Sequence, residues 1–431
     1  MGASRSGHYR SASRQDVVFY TSPSSRSRSP VVEDVSPNPA PPSESRPLDP
    51  LGVAVAATLV VFLTFLLVSP VQVLNLALGV WFTQLFVFLG GGWLVLSATG
   101  RAPARYTGLS AWSVGPAAFG FVLGLANFFG IIAPVQYLAQ LVLPESWNDY
   151  DVSGIFLGQS PVELAFIVAG LGIGAPLCEE FFFRGVFFRG LLSRGGPPWR
   201  ALFFSAALFS AFHLDRMGFV SRLELGLLFG WLLWRTGSLW PGVLAHAANN
   251  LVSTALFFGS RHLESEPAPS PGDEGRTVVL LALGGCAVLL GLLSAARHFP
   301  GLLGGPLRPL EEREAPEPPV HLEPPTRLLR RAFPWMMTAT LVLGAYVVLD
   351  PVGIELSQID LRYPLAPVPE DAPDALHAER NALYELRVRA RRGETPVGEY
   401  TQERRRQSRQ SGGGRPPVLP TPNLPPSKET P

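Results

Sequence analysis

The sequence predicts an all-α fold, a polytopic transmembrane helical bundle with about nine spans. Three observations predict it. Hydrophobic residues make up 47% of the 431-residue chain and charged residues only 16%, too apolar a balance for an ordinary soluble domain. The apolar residues are gathered in runs near the roughly 20 residues that cross about 30 Å of hydrocarbon. The loops between those runs segregate arginines from acids, as membrane loops do.

Residues 1–48 are rich in Ser, Pro and Arg, with Arg5, Arg10, Arg14, Arg26 and Arg28 but almost no aliphatic clusters, so this basic arm is expected to be disordered. Residues 50–112 hold the first spans, Leu51 to Val71 and Val73 to Ala98. Residues 113–260 form a membrane core, with long runs at Val114 to Leu143 and Val162 to Leu177 and broken ones at Ala201 to His213, Leu223 to Trp234 and Pro241 to Phe258. Residues 261–333 add a span at Val278 to Ala296 and a Pro-rich loop, and residues 334–350 hold the last span. Residues 351–431 read as a flexible basic tail with an amphiphilic helix at Ala375 to Arg392.

The first apolar run begins near Leu51 and is long enough to stay in the membrane, so no cleavable signal peptide is expected. Met1-Gly2 with Ser6 fits a myristoylation pattern that basic, Ser-rich termini often match by chance. The positive-inside rule places the amino terminus, Arg101, Arg105, Arg189, Arg194, Arg200 and the arginines Arg308 to Arg331 in the cytosol, and the acidic loop Glu145, Asp149, Asp151 outside. An odd number of spans puts the tail outside, whereas Arg404, Arg405 and Arg406 favour the cytosol, so its side stays open. A single lysine, Lys428, among many arginines suggests a GC-rich bacterial genome and hence a bacterial inner (plasma) membrane.

Cys178 and Cys286 both lie in apolar segments, which excludes a disulfide framework or a thiolate metal cage. Cys178 adjoins two carboxylates that disfavour a thiolate, so it reads as a packing residue rather than a nucleophile. The glycine spacings Gly120 to Gly124, Gly170 to Gly174 and Gly226 to Gly230 read as faces for close helix packing in lipid.

Chemistry is expected where polar groups interrupt these apolar segments, because an ionisable side chain at mid-bilayer costs about 3 kcal/mol on insertion scales. Glu180 and Arg184 are four apart, share a helix face and can neutralise each other. Glu179 is rotated about 100° from them and lacks that partner. Phe209 precedes His213 by one turn, and His246 and Asn250 again share a face. A carboxylate with a histidine can activate water, while a second histidine and an amide can donate to an oxyanion. The same groups, Glu179 with His213 and His246, could instead ligate Zn²⁺, and spacing alone does not separate the two. Taken singly, His213 and the Glu180–Arg184 pair also read as structural groups.

The ordered set EExxxR (Glu179, Glu180, Arg184), FxxxH (Phe209, His213) and HxxxN (His246, Asn250) resembles the CPBP family of intramembrane proteases, which includes CAAX prenyl-protein endopeptidases and bacteriocin-processing or immunity-type proteins. The likeness covers roughly Val114 to Phe258. It implies that residues 113–260 are a catalytic membrane core in which Glu179 acts with His213 on a water. Glu180 and Arg184 would organise the site, and His246 and Asn250 would stabilise the oxyanion or complete metal ligation. The family has been described both as metalloproteases and as metal-independent glutamate proteases. The long arm, the spans after Phe258 and the tail depart from its minimal pattern.

The expected activity is therefore an intramembrane endopeptidase acting on a membrane-associated protein or peptide in the lipid bilayer, with no nucleic-acid partner. For a bacterial chain, a secreted peptide or a membrane regulator is favoured over a prenylated CAAX protein. Two other classes remain: a non-catalytic scaffold or immunity-like protein that retains the motif, and a transporter, which the lack of an evident inverted repeat disfavours. No HExxH motif is present, and the spans hold neither GxSG nor GxGD.

Overall fold

The computed structural model describes residues 49–147, 153–156, 158–263, 271–303, 323–369 and 372–411. All of them fall in one unit, Pro47–Pro431. The expectations for the arm 1–48, for Asp149 and Asp151, for Arg308 and Arg313 and for the end of the tail lie outside the described residues.

Helix α1 (Pro50–Leu74) starts at Asp49, whose side chain accepts from the Gly52 N–H. Pro50 opens the first turn, where a missing N–H leaves no bond unmade. Asn75 ends α1 and caps α2 (Leu76–Ala98) by accepting from the Leu78 N–H. Then come α3 (Val114–Val142) and α4 (Pro161–Leu192). The packed pair α5 (Pro198–Ala211) and α6 (Phe219–Thr236) follows, and α6 stops at left-handed Gly237, φ 68°. The membrane part is completed by α7 (Trp240–Leu263), α8 (Pro271–His298) and α9 (Pro325–Leu349).

Each apolar run lies on one of these helices, but only six are long and apolar enough to cross a membrane: α1, α2, α3, α4, α8 and α9. The run pattern predicts about nine. Helix α5 is too short, at 14 residues. Helices α6 and α7 are diluted by Arg222, Glu224, Arg235, His246, Asn249 and Asn250. No strand occurs among the described residues.

Two long helices widen into π-helical turns just ahead of a proline, at Phe128–Ile132 before Pro134 and Gly170–Gly174 before Pro176. Proline offers no N–H to the carbonyl four residues back, and one extra residue in the turn avoids the clash. Further π stretches, Thr83–Gly90 in α2 and Phe181–Phe188 in α4, lie beside the polar groups.

Polarity runs inside out. Leu67, Leu290 and Val348 are exposed on α1, α8 and α9, whereas Glu179, Glu180, Arg184 and His246 are buried. Apolar side chains facing outward suit hydrocarbon, and the charges find partners within the bundle. The glycine faces behave as read: a Cβ on Gly124 would lie 2.5 Å from the Ala245 carbonyl oxygen, and one on Gly120 would strike Pro241. Helices α3 and α7 can approach so closely only because glycine stands there. Gly170 and Gly174 meet Val80 and Trp81, and Gly226 and Gly230 meet Ala206 and Leu202. Cys178 is buried in the aromatic core with Phe181, Phe182 and Phe183, as a packing residue should be.

Beyond α9 the structure corrects the expectation of a flexible tail, for residues 351–369 and 372–411. Helices α10 (Pro351–Arg362), α11 (Asp374–Arg391) and α12 (Val397–Gln410) pack around Leu356, Leu365, Leu383 and Tyr400. The basic composition misleads because buried partners neutralise several of its arginines. Asp360 stands 2.9 Å from Arg387 Nε and 3.4 Å from Arg404 Nη1, and accepts from the Tyr400 hydroxyl. Arg391 pairs with Asp350 and, at 2.6 Å, with Glu163 in the first turn of α4. The expected amphiphilic helix coincides with α11.

Candidate active site

Glu179 and Glu180 sit on α4 between its two π stretches. Consecutive residues point about 100° apart, so the two carboxylates meet different neighbours. Glu180 Oε1 accepts from Arg184 Nη1 at 3.0 Å and faces His246 Nδ1 at 3.1 Å. The Arg184 guanidinium is fully buried and lies 4.3 Å from the Phe209 ring centre, a cation–π contact that compensates part of its lost hydration. Glu179 turns the other way. Its Oε1 accepts from Gln84 Nε2 at 2.9 Å, and its Oε2 is buried with no hydrogen-bond partner.

His213 follows the end of α5, with Nδ1 2.9 Å from the Phe209 carbonyl oxygen. A carbonyl can only accept, so Nδ1 carries the hydrogen and Nε2 keeps its lone pair. Phe209 thus orients His213 through its backbone while its ring contacts Arg184, His213 and His246. The next residue, Leu214, adopts φ 54°, the one non-glycine positive φ among the described residues. Such strain is often found beside functional groups.

On α7, His246 stacks on Phe229 with ring centres 5.0 Å apart, and its Nδ1 is directed to Glu180. Asn250 Nδ2 donates to the Leu171 carbonyl at 2.8 Å, leaving its second amide hydrogen. Asn249 is buried beside it with Oδ1 unpartnered.

A cavity of about 560 Å³ gathers these groups: Glu179, His213, His246, Asn249, Asn250 and Gln84 all line it, with apolar walls from Phe88, Phe156, Leu225 and Phe257. Glu180 and Arg184 stand behind that lining. Among the described residues, no group of three or more His, Cys, Asp or Glu side chains is placed to hold a metal ion. Glu179 is turned to Gln84 and His246 to Glu180, so the zinc set Glu179, His213 and His246 is not assembled. These residues do not fit the ion.

Residues 161–252, from the start of α4 into α7, match the family model described as type II CAAX prenyl endopeptidase Rce1-like. The match supports a CPBP family intramembrane protease. Glu179, Glu180, Arg184, His213, His246 and Asn250 all lie within the matched segment. The family is one of proteases, and its match together with the apolar helices makes this an integral membrane protein. No curated protein and no solved structure gives a significant match.

Gln84 and Asn249 escape the motif reading. Gln84 lies outside the matched segment, as an amide in the apolar stretch Val80 to Leu89. The rule that singles out Glu179 applies to it as well: a polar side chain inside a span needs a partner.

Proposed function

We propose that this chain is a CPBP-type intramembrane endopeptidase that hydrolyses a peptide bond in a membrane-associated protein or peptide. The observation that carries the reading is the cavity lined at once by a carboxylate with a free oxygen, Glu179, and by His213 with its Nε2 lone pair available. In this reading a water between them loses a proton to Glu179 while His213 orients it. The hydroxide adds to the scissile carbonyl carbon. His246 Nε2 and the free Asn250 amide hydrogen stabilise the oxyanion. Donating there while Nδ1 faces the Glu180 carboxylate uses both His246 ring nitrogens as donors. The C–N bond then breaks, and the proton held by Glu179 passes to the leaving amine. Glu180 and Arg184 keep His246 in place without touching substrate.

The finer topology belongs to the same proposal: nine spans, formed when α5, α6 and α7 join the six apolar helices, in a bacterial inner membrane with the amino terminus in the cytosol. The tail then lies outside. The pairing of Arg391 with Glu163 at the start of α4, just past the acidic loop, supports this.

The test compares peptide termini across the membrane proteome of cells carrying the wild type or Glu179→Gln at matched levels. Termini present only with the wild type support hydrolysis and identify the substrate. Identical termini, with folded protein in both, return the reading to a scaffold.

A further inference from the structure

We propose that Gln84, on α2 and outside the family-matched segment, is the positioning residue that makes Glu179 rather than Glu180 the base. This inference rests on the endopeptidase reading and adds a residue to its machinery. The two adjacent carboxylates differ in their partners. Glu180 Oε1 is shared by a guanidinium and an imidazole at 3.0 and 3.1 Å. Glu179 Oε1 accepts from a neutral amide, Gln84 Nε2, at 2.9 Å. A cation both orients a carboxylate and draws off its negative charge, whereas an amide orients it and leaves the charge available for a proton. Glu179 Oε2 and Gln84 Oε1 are both buried without a partner, and both residues line the cavity with His213. Glu180 Oε2 is unpartnered too, but Glu180 does not line the cavity, so of the two only Glu179 presents a free oxygen there.

The backbone around Gln84 is fastened on either side. Trp81 Nε1 donates to the Phe166 carbonyl of α4 at 2.9 Å, and Trp335 Nε1 of α9 donates to the Leu85 carbonyl at 2.6 Å. Gln72 Nε2 of α1 donates to Thr83 Oγ1 at 2.7 Å. The π stretch Thr83–Gly90 begins at that point, and a loosened carbonyl ladder leaves acceptors such as Leu85 open to such side-chain bonds. Gln84 is therefore presented to α4 by a braced turn, and a side chain held in this way can place a reacting group.

Gln84→Met keeps the length of the side chain and removes the donor. Full-length protein in lipid is assayed on the peptide recovered from the termini comparison, with Glu179→Gln alongside. A hydrogen bond to a charged group, lost only where the base works, corresponds to a fall in kcat of about 10- to 100-fold. KM is expected to stay at its wild-type value while kcat falls, a split that a purely structural role would not give. The exchange Gln84→Glu with Glu179→Gln supplies a second reading if the single variant does not fold. It retains an amide–carboxylate pair, and it is expected to be folded and inactive because the carboxylate has left its place beside His213. Wild-type kcat in Gln84→Met, or activity in the exchanged protein, with Glu179→Gln inactive, overturns this inference alone. Equal termini for the wild type and Glu179→Gln overturn the endopeptidase reading and this inference together.

Discussion

Replacing Arg184 with methionine should be among the most destabilising single changes in the bundle. The guanidinium is fully buried, 3.0 Å from Glu180 Oε1. At an effective dielectric near 20, unit charges about 4 Å apart attract by about 4 kcal/mol. Removing one partner of a buried pair strands the other, at a cost of about 3–5 kcal/mol. The cation–π contact with Phe209 adds up to about 2 kcal/mol, of which a methionine sulfur on the same ring recovers roughly half. Arg184→Met alone is thus expected to cost about 4 kcal/mol, and Glu180→Gln alone, which strands the guanidinium, a similar amount. The double variant Glu180→Gln/Arg184→Met strands neither the Glu180 carboxylate nor the Arg184 guanidinium and should cost at least about 2 kcal/mol less than the sum of the singles. Equilibrium unfolding of purified protein in bicelles measures all three. A cost below about 1 kcal/mol for Arg184→Met, or strict additivity in the double variant, would refute the pairing argument.

Other outcomes follow from the same geometry. Gly124→Ala puts a Cβ against the Ala245 carbonyl oxygen and should cost about 1–3 kcal/mol while displacing the adjacent His246; Gly115→Ala, which meets open space in the same helix, should be neutral or slightly stabilising on the same unfolding assay. Leu214→Asn relieves a left-handed backbone at an exposed side chain and should raise stability by about 1 kcal/mol, read as a higher melting midpoint. Burial and then the Asp360 carboxylate push the Tyr400 phenol above its ordinary value, outweighing Arg404 and Arg387. Its contribution is therefore complete below the unfolded value of about 10 and is lost as the pH rises toward the folded one. Protection of α10–α12 from trypsin should fall above about pH 10, and Tyr400→Phe should flatten that dependence.

The membrane bundle was legible because runs of apolar residues measure the bilayer directly, and the motif residues because charge in such runs is costly. Periodicity brought Glu180 to Arg184 and placed His246 and Asn250 on one face, since both relations are local to a helix. The contact of Gln84 with Glu179 joins α2 to α4, and no spacing rule reaches across helices. The His246–Glu180 pair is equally non-local, so the sequence left His246 open as an oxyanion donor or a metal ligand, and only the fold turns its Nδ1 to a carboxylate. The tail was misread for a related reason: composition counts Arg387, Arg391 and Arg404 as surface charge, and only tertiary structure reveals Asp360, Asp350 and Glu163 opposite them.

The Arg391–Glu163 pair also ties the order of synthesis to the state of the molecule. Translation is vectorial, so α4 enters the bundle while the codon for Arg391 is still unread. In that interval Glu163 has no guanidinium opposite it, and the helix that carries Glu179 begins at an unpaired carboxylate. A segment synthesised well after α4 closes the start of that helix. A polypeptide terminated before residue 391 can thread its spans yet lacks the cation that finishes α4 and the α12 side chains that close on Asp360.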